Sequence, residues 1–215
     1  RQGNIMEEEL ISNDPGVSGL IKEKTGKILF DLVTTIPESL MCPTEAPEKK
    51  IQKLIQKSSV KTAILSATLA IPAGSVGILT IIPDLTAIWR IQAQLVADIA
   101  ATYGQIAVLS REAMVWCLFR HTASQLVRDI AVRTGSRLIM QKVSVSALRA
   151  LLQKIGIQAS SKLLGRALFR AIPALGAIGS GAYAYYDTQE VGKTAEAYFK
   201  ALSDQSKIQK EKNTD

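Results

Sequence analysis

The chain has 215 residues, of which 47% are hydrophobic and 5% aromatic, and its formal net charge is +7. The composition is dominated by Ala, Ile and Leu, which is unlike a β-sandwich, and no Ser-, Gly- or Pro-rich linker divides the chain, so we predict one all-α domain. We expect this domain over residues 17–210, after a disordered or cloning-derived start at residues 1–16 and before a frayed tail at residues 211–215.

Two amphipathic helices are predicted in the first third of the chain. Apolar residues recur at helical spacing from Val17 to Thr34, with lysines on the opposite side. Three prolines then exclude regular structure until Pro47 or Glu48, where a second helix begins. The first apolar run follows acidic residues and not a basic segment, so no secretory signal is expected.

The segment Thr62–Pro83 has twenty-two residues and no ionisable side chain, and a helix of roughly 20 apolar residues can cross a bilayer. Pro72 and several glycines disfavour one continuous spanning helix. We therefore predict two apolar helices joined near residues 71–75, kinked by Pro and Gly and packed at the centre of a helical bundle. A membrane-spanning helix is the alternative.

The clearest helical pattern extends from Asp84 to Tyr103. Asp84 follows Pro83 and is expected to cap the first turn, while Gly104 is expected to supply the left-handed residue that ends the helix. Arg90, Gln94 and Asp98 follow one another at four-residue steps and form a polar line on this helix. The line is either an ion-paired outer face or a buried polar network.

Positive charge is concentrated between residues 105 and 170, where eleven Lys or Arg residues accompany two acids, Glu112 and Asp129. Such a local field indicates an anionic partner, with a solvated helical face as the alternative. The segment is predicted to be helical over Ser110–Thr122, Ser124–Val143, Val145–Ile155 and Ser160–Ala171, with breaks at Gly135 and Gly156. The candidate lipid- or anion-binding residues are Arg128, Arg133, Arg137, Lys162, Arg166 and Arg170.

A second uncharged stretch occupies Ala171–Tyr186 and is followed by Asp187. Its many small residues allow another helix to approach closely, and it is short for a membrane span. Because AIPA at residues 70–73 recurs at residues 171–174, we predict two hairpin-like units that pack side by side in the core. A last helix is expected at about Gln189–Gln209.

The sequence contains no pattern typical of an enzyme. Residues 19–27 fail as a phosphate-binding loop, no nucleophile elbow is present, and one histidine, His121, leaves no Ser/His/Asp triad or His-rich metal site. We interpret His121 as a surface or cap residue and Asp187 as a cap or salt-bridge partner. Cys42 and Cys117 lack metal-ligand spacing and indicate free thiols in a reducing compartment. We expect no catalytic residue, metal, cofactor or small-molecule substrate.

Two blocks of the chain resemble the bacterial EcsC family. Residues 70–104 join a glycine-rich apolar segment to a Pro-Asp step and to an amphipathic helix that ends in Tyr-Gly, and residues 172–199 resemble the closing block of the family. A similar layout occurs in YcjF-like membrane domains. The residues that carry the resemblance are Pro72, Pro83, Asp84, Tyr103, Gly104, Pro173, Asp187 and Tyr198. The resemblance implies a protein close to a membrane and associated with an ABC exporter, and no established catalytic residue of the family can be transferred.

Charge and resemblance together predict a non-enzymatic, membrane-associated helical protein of the bacterial cytoplasm, peripheral to or embedded in the inner membrane. Its basic helical face would bind anionic lipid or a membrane protein complex. A pore-forming or membrane-inserting bundle is the first alternative. A nucleic-acid-binding protein is the second, disfavoured because aromatic residues do not interleave with the basic ones and no known module is recognisable.

Overall fold

The computed structural model describes residues 15–69, 77–134, 137–167 and 173–212. They form an α-helical bundle, as predicted, with a small antiparallel hairpin that pairs Ala131 with Met140 and Thr134 with Arg137. The α-helices are α1 (Pro15–Thr34), α2 (Pro47–Leu69), α3 (Gly77–Thr102), α4 (Arg111–Phe119), α5 (Ser124–Val127), α6 (Val145–Ala167) and α7 (Pro173–Lys212). The strands are β1 (Ala131–Thr134) and β2 (Arg137–Met140), and 3₁₀ turns cover Ile106–Val108 and Arg128–Ile130.

The core lies where the C-terminal half of α3 meets α4, α1, α6 and the second half of α7. The rings of Trp89 and Phe119 meet edge to face there, with centroids 6.1 Å apart. The largest side chains that are fully buried include Phe199, Leu29, Ile51, Leu95, Ile99, Met114, Leu148 and Leu152. These residues come from amphipathic helices, each of which contributes one apolar stripe.

Two helix pairs are held together through small residues. Helices α2 and α7 run antiparallel, and a Cβ atom at Gly181 would lie only 3.1 Å from the carbonyl oxygen of Ala63. Helices α1 and α6 cross at Gly26 and Gly156, where a Cβ atom on Gly156 would lie 3.2 Å from the backbone nitrogen of Gly26. Small side chains allow backbones to approach this closely. Gly156, predicted as a helix break, is therefore a packing residue inside a continuous α6.

The predicted pair of helices at Thr62–Pro83 is confirmed, because α2 ends at Leu69, α3 begins at Gly77 and the two helices contact each other. The start of α3 was predicted too late, since Pro83 and Asp84 lie in its interior and Asp84 does not cap its first turn. One proline removes a single backbone donor near the helix start, and the apolar residues before it continue the helix. Pro72 lies outside the described residues.

The C-terminal end of α3 is as predicted, since Gly104 has a φ of +70°. This left-handed conformation favours glycine at the residue that follows a helix. Two of the three residues in the polar line on α3, Gln94 and Asp98, form a partly buried network, whereas Arg90 is exposed. Asp98 accepts hydrogen bonds from Gln94 and, at 2.7 Å, from the Ser39 hydroxyl, which ties the loop of residues 35–46 to α3.

The helix predicted over Ser124–Val143 is wrong, because α5 ends at Val127 and a 3₁₀ turn leads into the β-hairpin. The strands contain several β-branched residues, which favour extended structure over helix. Gly135, predicted as a break, lies between the strands and outside the described residues.

The predicted break at Asp187 is also absent, because the second apolar stretch and the expected last helix form one 40-residue helix, α7. Helices α1, α2 and α7 each begin at a proline, which is well tolerated at the first helical position.

Candidate membrane-binding site

The structure distributes the six predicted basic residues over several elements. Arg128 lies in a 3₁₀ turn with 78% of its side chain exposed. Arg133 and Arg137 lie on the hairpin, opposite Leu138 and Thr134 in the strand register. Lys162 and Arg166 lie four residues apart in α6, and Arg170 is outside the described residues. The predicted continuous helical face is therefore wrong for Arg128, Arg133 and Arg137, because this part of the chain turns away from α-helix.

Both acidic residues of the basic segment already interact with the arginines beside them. The buried carboxylate of Glu112 accepts a hydrogen bond from Arg111 at 3.0 Å and another from the backbone N–H of Val143. Burial raises the pKa of Glu112, but the hydrogen bond from Arg111 and those from backbone N–H groups outweigh it and hold that pKa below the ordinary value. Asp129 lies 3.7 Å from Arg128. Among the described side chains of residues 105–170, neither acid forms an ion pair with another cation.

Several of those cations are exposed to solvent. The guanidinium of Arg120 lies 5.4 Å from the ring centre of Trp116, and that of Arg149 lies 5.0 Å from the ring centre of Phe30, so each covers an aromatic ring. Lys142 and Lys154 are also exposed. Lys154 belongs to α6, as do Lys162 and Arg166.

An apolar end of the molecule is formed by Thr62–Leu69 of α2 and by residues 173–186 of α7. Hydrogen bonds set their register: the Ser66 hydroxyl donates to the carbonyl of Ser180 at 3.2 Å, and the Thr62 hydroxyl donates to that of Ala184. The predicted side-by-side packing of the two apolar stretches is thus found in their described parts.

The sequence analysis predicted that these apolar segments lie at the centre of the bundle. Their described parts are instead partly exposed. The exposed fractions are 60% for Ile64, 70% for Ile178 and 60% for Tyr186. Small residues such as Gly181 and Ala67 close the contact between the two helices on one side, but they do not cover the outward faces of α2 and α7. A charge-free sequence is therefore not sufficient for burial, which requires neighbouring helices on each side.

A layer of buried polar groups lies below the apolar end. The Asp187 carboxylate accepts a hydrogen bond from the Gln92 side chain at 2.7 Å and lies 2.8 Å from Nε2 of His121. The hydroxyls of Thr62 and Thr188 share a hydrogen bond of 2.9 Å. This polar layer links α2, α3 and α7 to the turn after α4. It also overturns the interpretation of His121 as a surface or cap residue, since its side chain is largely buried. No sequence spacing connects residues 121 and 187, so only the fold reveals this pair.

Polar side chains lie on α2 and α7 near the level of this layer. On α2, the exposed Lys57 and Lys61 make no ion pair with the described residues. On α7, the Tyr185 hydroxyl donates to the side-chain oxygen of Gln56 at 2.9 Å. We use the name polar collar for the group formed by Lys57, Lys61, Tyr185 and Tyr186. Both helices therefore change from charged to uncharged sequence at the same height.

The two tyrosines among the motif residues, Tyr103 and Tyr198, pack in or against the core. Tyr198 is buried against Phe199, with ring centroids 4.9 Å apart, and burial raises its pKa to about 12. Burial, with a contribution from nearby acids led by Glu196, raises the pKa of Tyr103 to about 12 as well. Cys117 is buried as a free thiol, and burial raises its pKa, whereas Cys42 is exposed. Pro173 begins α7.

Across residues 15–69, 77–134, 137–167 and 173–212, the structure contains no helix long and apolar enough to cross a membrane. The same ranges contain no group of three or more His, Cys, Asp or Glu residues that could hold a metal ion.

Comparison with known proteins identifies one family. Neither the curated proteins nor the solved structures give a match. The model of the EcsC protein family matches residues 17–201, which include both blocks singled out in the sequence and extend through α1 and α2. The match therefore also covers most of the N-terminal region, which the sequence alone had not linked to the family. This chain belongs to the EcsC protein family.

Proposed function

We propose that this protein is non-enzymatic and associates with an anionic membrane surface through the positive charge of residues 105–170. The observation that carries the proposal is the pairing of the two acids in this segment with Arg111 and Arg128. This pairing does not neutralise the other cations of the segment. Arg120, Lys142, Arg149 and Lys154 are exposed.

The size of the electrostatic attraction supports such a role. Each Lys or Arg close to an anionic bilayer contributes about 1 kcal/mol, so a handful of them is sufficient for measurable binding. The attraction falls off within a Debye length, about 10 Å at 0.1 M salt, so added salt should release the protein. Lys154 is exposed and Lys162 and Arg166 belong to the same helix, so α6 is the leading candidate for the contact.

A charge-reversal experiment tests this proposal. The variant with Lys162, Arg166 and Arg170 replaced by Glu should no longer sediment with vesicles of phosphatidylcholine and phosphatidylglycerol. The matched control replaces three lysines outside the segment, Lys49, Lys53 and Lys207, which are exposed and give the same change in net charge. The control should still sediment, and circular dichroism should show unchanged helix content in both variants.

Three outcomes would contradict the proposal. Unchanged binding of the first variant excludes these cations as the contact, and equal loss in both variants shows that only net charge matters. Binding to a membrane protein complex but not to pure lipid vesicles would identify a protein partner instead.

The alternatives are distinguished by separate measurements. Release of a trapped dye from the vesicles would favour a pore-forming bundle. A gel shift with nucleic acid that weakens steeply with salt would favour the nucleic-acid-binding alternative.

A further inference from the structure

We propose that the apolar end of α2 and α7 is a monotopic membrane anchor, which enters one leaflet of the bilayer and stops at the polar collar. The partner surface is the boundary between lipid headgroups and acyl chains. This inference rests on the proposed membrane association and adds the part of the molecule that inserts and how far it goes.

The first observation is the exposure of large apolar side chains on segments that contain no Asp, Glu, Lys, Arg or His. Ile64 and Ile178 are more than half exposed, and Tyr183 is also exposed at the same end. Exposed apolar side chains that occur singly are ordinary, whereas a group of them at one end indicates an interaction surface.

The second observation is that the hydroxyl groups of α2 at this end are already satisfied within the protein. The Thr68 hydroxyl donates to the carbonyl of Leu65 at 2.8 Å, and the Ser66 hydroxyl donates to that of Ser180 at 3.2 Å. Hydrocarbon offers no hydrogen-bond partners, so a polar group can enter it cheaply only when it is bonded internally. A polar protein partner would need free donors or acceptors on this surface, whereas lipid needs none. The internal hydrogen bonds therefore favour lipid as the partner.

The third observation is the composition of the collar. Tyr is enriched where proteins cross the membrane–water interface, and Lys can extend its charged end towards the headgroups while its methylene groups remain in apolar surroundings. Tyr185 and Tyr186 on α7 lie at the level of Lys57 and Lys61 on α2, as the contact between Tyr185 and Gln56 shows. The cationic lysines also complement anionic lipid.

Neither helix segment of the apolar end is long enough to span the bilayer. Thr62–Leu69 is about 12 Å long and residues 173–186 are about 21 Å long at 1.5 Å per residue. Half of a hydrocarbon core is about 15 Å and the whole is about 30 Å, so neither helix segment spans the bilayer. Deeper insertion would bring Asp187, His121 and Gln92 into hydrocarbon, which is unfavourable for ionisable and amide groups.

Depth-dependent fluorescence tests the inference. In a Cys42→Ser background, which removes the exposed thiol, single cysteines at Ile64 and Ile178 are labelled with an environment-sensitive fluorophore. With phosphatidylcholine–phosphatidylglycerol vesicles, both labels should shift to shorter wavelength and be quenched by acyl-chain quenchers. A label at Tyr186 should be quenched most by headgroup quenchers. The matched controls are Val108 and Ile208, each 54% exposed but away from the apolar end, and their labels should not respond.

A pair of charge variants provides a second readout. Replacing Ile64 and Ile178 by Glu should weaken vesicle binding by about tenfold or more, because each Ile that leaves water contributes about 1.5 kcal/mol or more and a factor of ten corresponds to about 1.4 kcal/mol. The same change at Val108 and Ile208 should leave binding within about threefold, since a threefold change is less than 1 kcal/mol.

The outcomes separate this inference from the proposed function. Sedimentation of the wild-type protein without a response at positions 64 and 178 overturns the anchor and leaves surface binding intact. Absence of sedimentation overturns the membrane association and the anchor with it. A response at position 108 equal to that at position 64, or release of a trapped dye, overturns insertion into one leaflet by this end.

Discussion

The two halves of α7 show how different apolar sequence and burial can be. The first half, up to Tyr186, contains no Asp, Glu, Lys, Arg or His, yet Ile178 and Tyr183 are exposed. The second half carries several charged residues, yet Val191 and Phe199 are completely buried. The difference shows that the core of this protein is made by helices with one apolar stripe, each covered by neighbours, and not by its most hydrophobic segments.

The number of neighbouring elements explains this contrast. The second half of α7 packs against α3, α4 and the first half of α2, so its apolar stripe is enclosed. The described part of the first half contacts α2 through small residues such as Gly181, which leaves its outward face uncovered. Burial at about 25 cal/mol per Å² stabilises the fold only where a partner surface exists, so the first half contributes less to folding than its composition suggests.

The largest expected contrast comes from truncating one large side chain in each half. Phe199→Ala should lower the free energy of unfolding by about 3–5 kcal/mol, because it opens a cavity among fully buried residues. Ile178→Ala should change it by no more than about 0.5 kcal/mol, as expected of an exposed position. Urea denaturation followed by circular dichroism measures both. Similar losses for the two variants would show that the apolar end is as well packed as the core.

A glycine series along α7 should follow the local space. Gly192→Ala should cost about 2–3 kcal/mol, because its Cβ would lie 2.5 Å from Cγ1 of the buried Ile55. Gly181→Ala should cost about 1 kcal/mol, since a backbone oxygen lies 3.1 Å from the new atom. Gly179→Ala should gain up to about 1 kcal/mol, because nothing lies within 4 Å and Ala favours helix. Thermal unfolding of the three variants checks the order, and a destabilised Gly179 variant would contradict it.

The boundary between the halves depends on Asp187. Asp187→Asn should lower the free energy of unfolding by about 1–2 kcal/mol, because an amide oxygen replaces only one of two carboxylate acceptors and an NH₂ group then faces the donor of Gln92 or His121. The control is Asp31→Asn on α1, an exposed carboxylate that accepts no side-chain hydrogen bond from the residues that the structure describes. Chemical denaturation measures both variants, and equal losses would assign the effect to net charge.

The smallest effect is expected on dye binding by the folded protein. The dye 8-anilinonaphthalene sulfonate binds exposed apolar surface, so its fluorescence should fall in the double variant Ile64→Gln and Ile178→Gln. The equally conservative pair Val108→Gln and Ile208→Gln should have less effect, because these residues lie apart from the apolar end. A larger loss in the control pair would place the main apolar surface elsewhere.

The sequence was sufficient for the fold class and for much of the helix pattern. Periodicity predicted α1 and the start of α2, and Gly104 was identified as the end of α3 because a left-handed residue is required there. These features depend on neighbours along the chain. The hairpin of β1 and β2 was missed because basic and apolar residues there also fit a helical period, and the β-branched residues of the strands favour extended structure only weakly without their folded context.

The candidate site could be predicted only in part. The charge excess of residues 105–170 is a property of composition and was visible directly. The location of the apolar stretches could not be predicted from the sequence. The rule that apolar segments are buried takes no account of how many helices are available to cover them. The contact between His121 and Asp187 joins residues far apart in sequence, and no local pattern encodes it.

The length of α7 also determines how the molecule behaves in solution. Forty residues at 1.5 Å each give a rod of about 60 Å, whereas a globular chain of this size has a radius of gyration of about 17 Å and a diameter of about 44 Å. A rod that exceeds the diameter of its own globule makes the particle prolate. Its frictional coefficient is therefore larger than that of a sphere of equal mass, and the pair-distance distribution from X-ray scattering extends beyond the spherical limit.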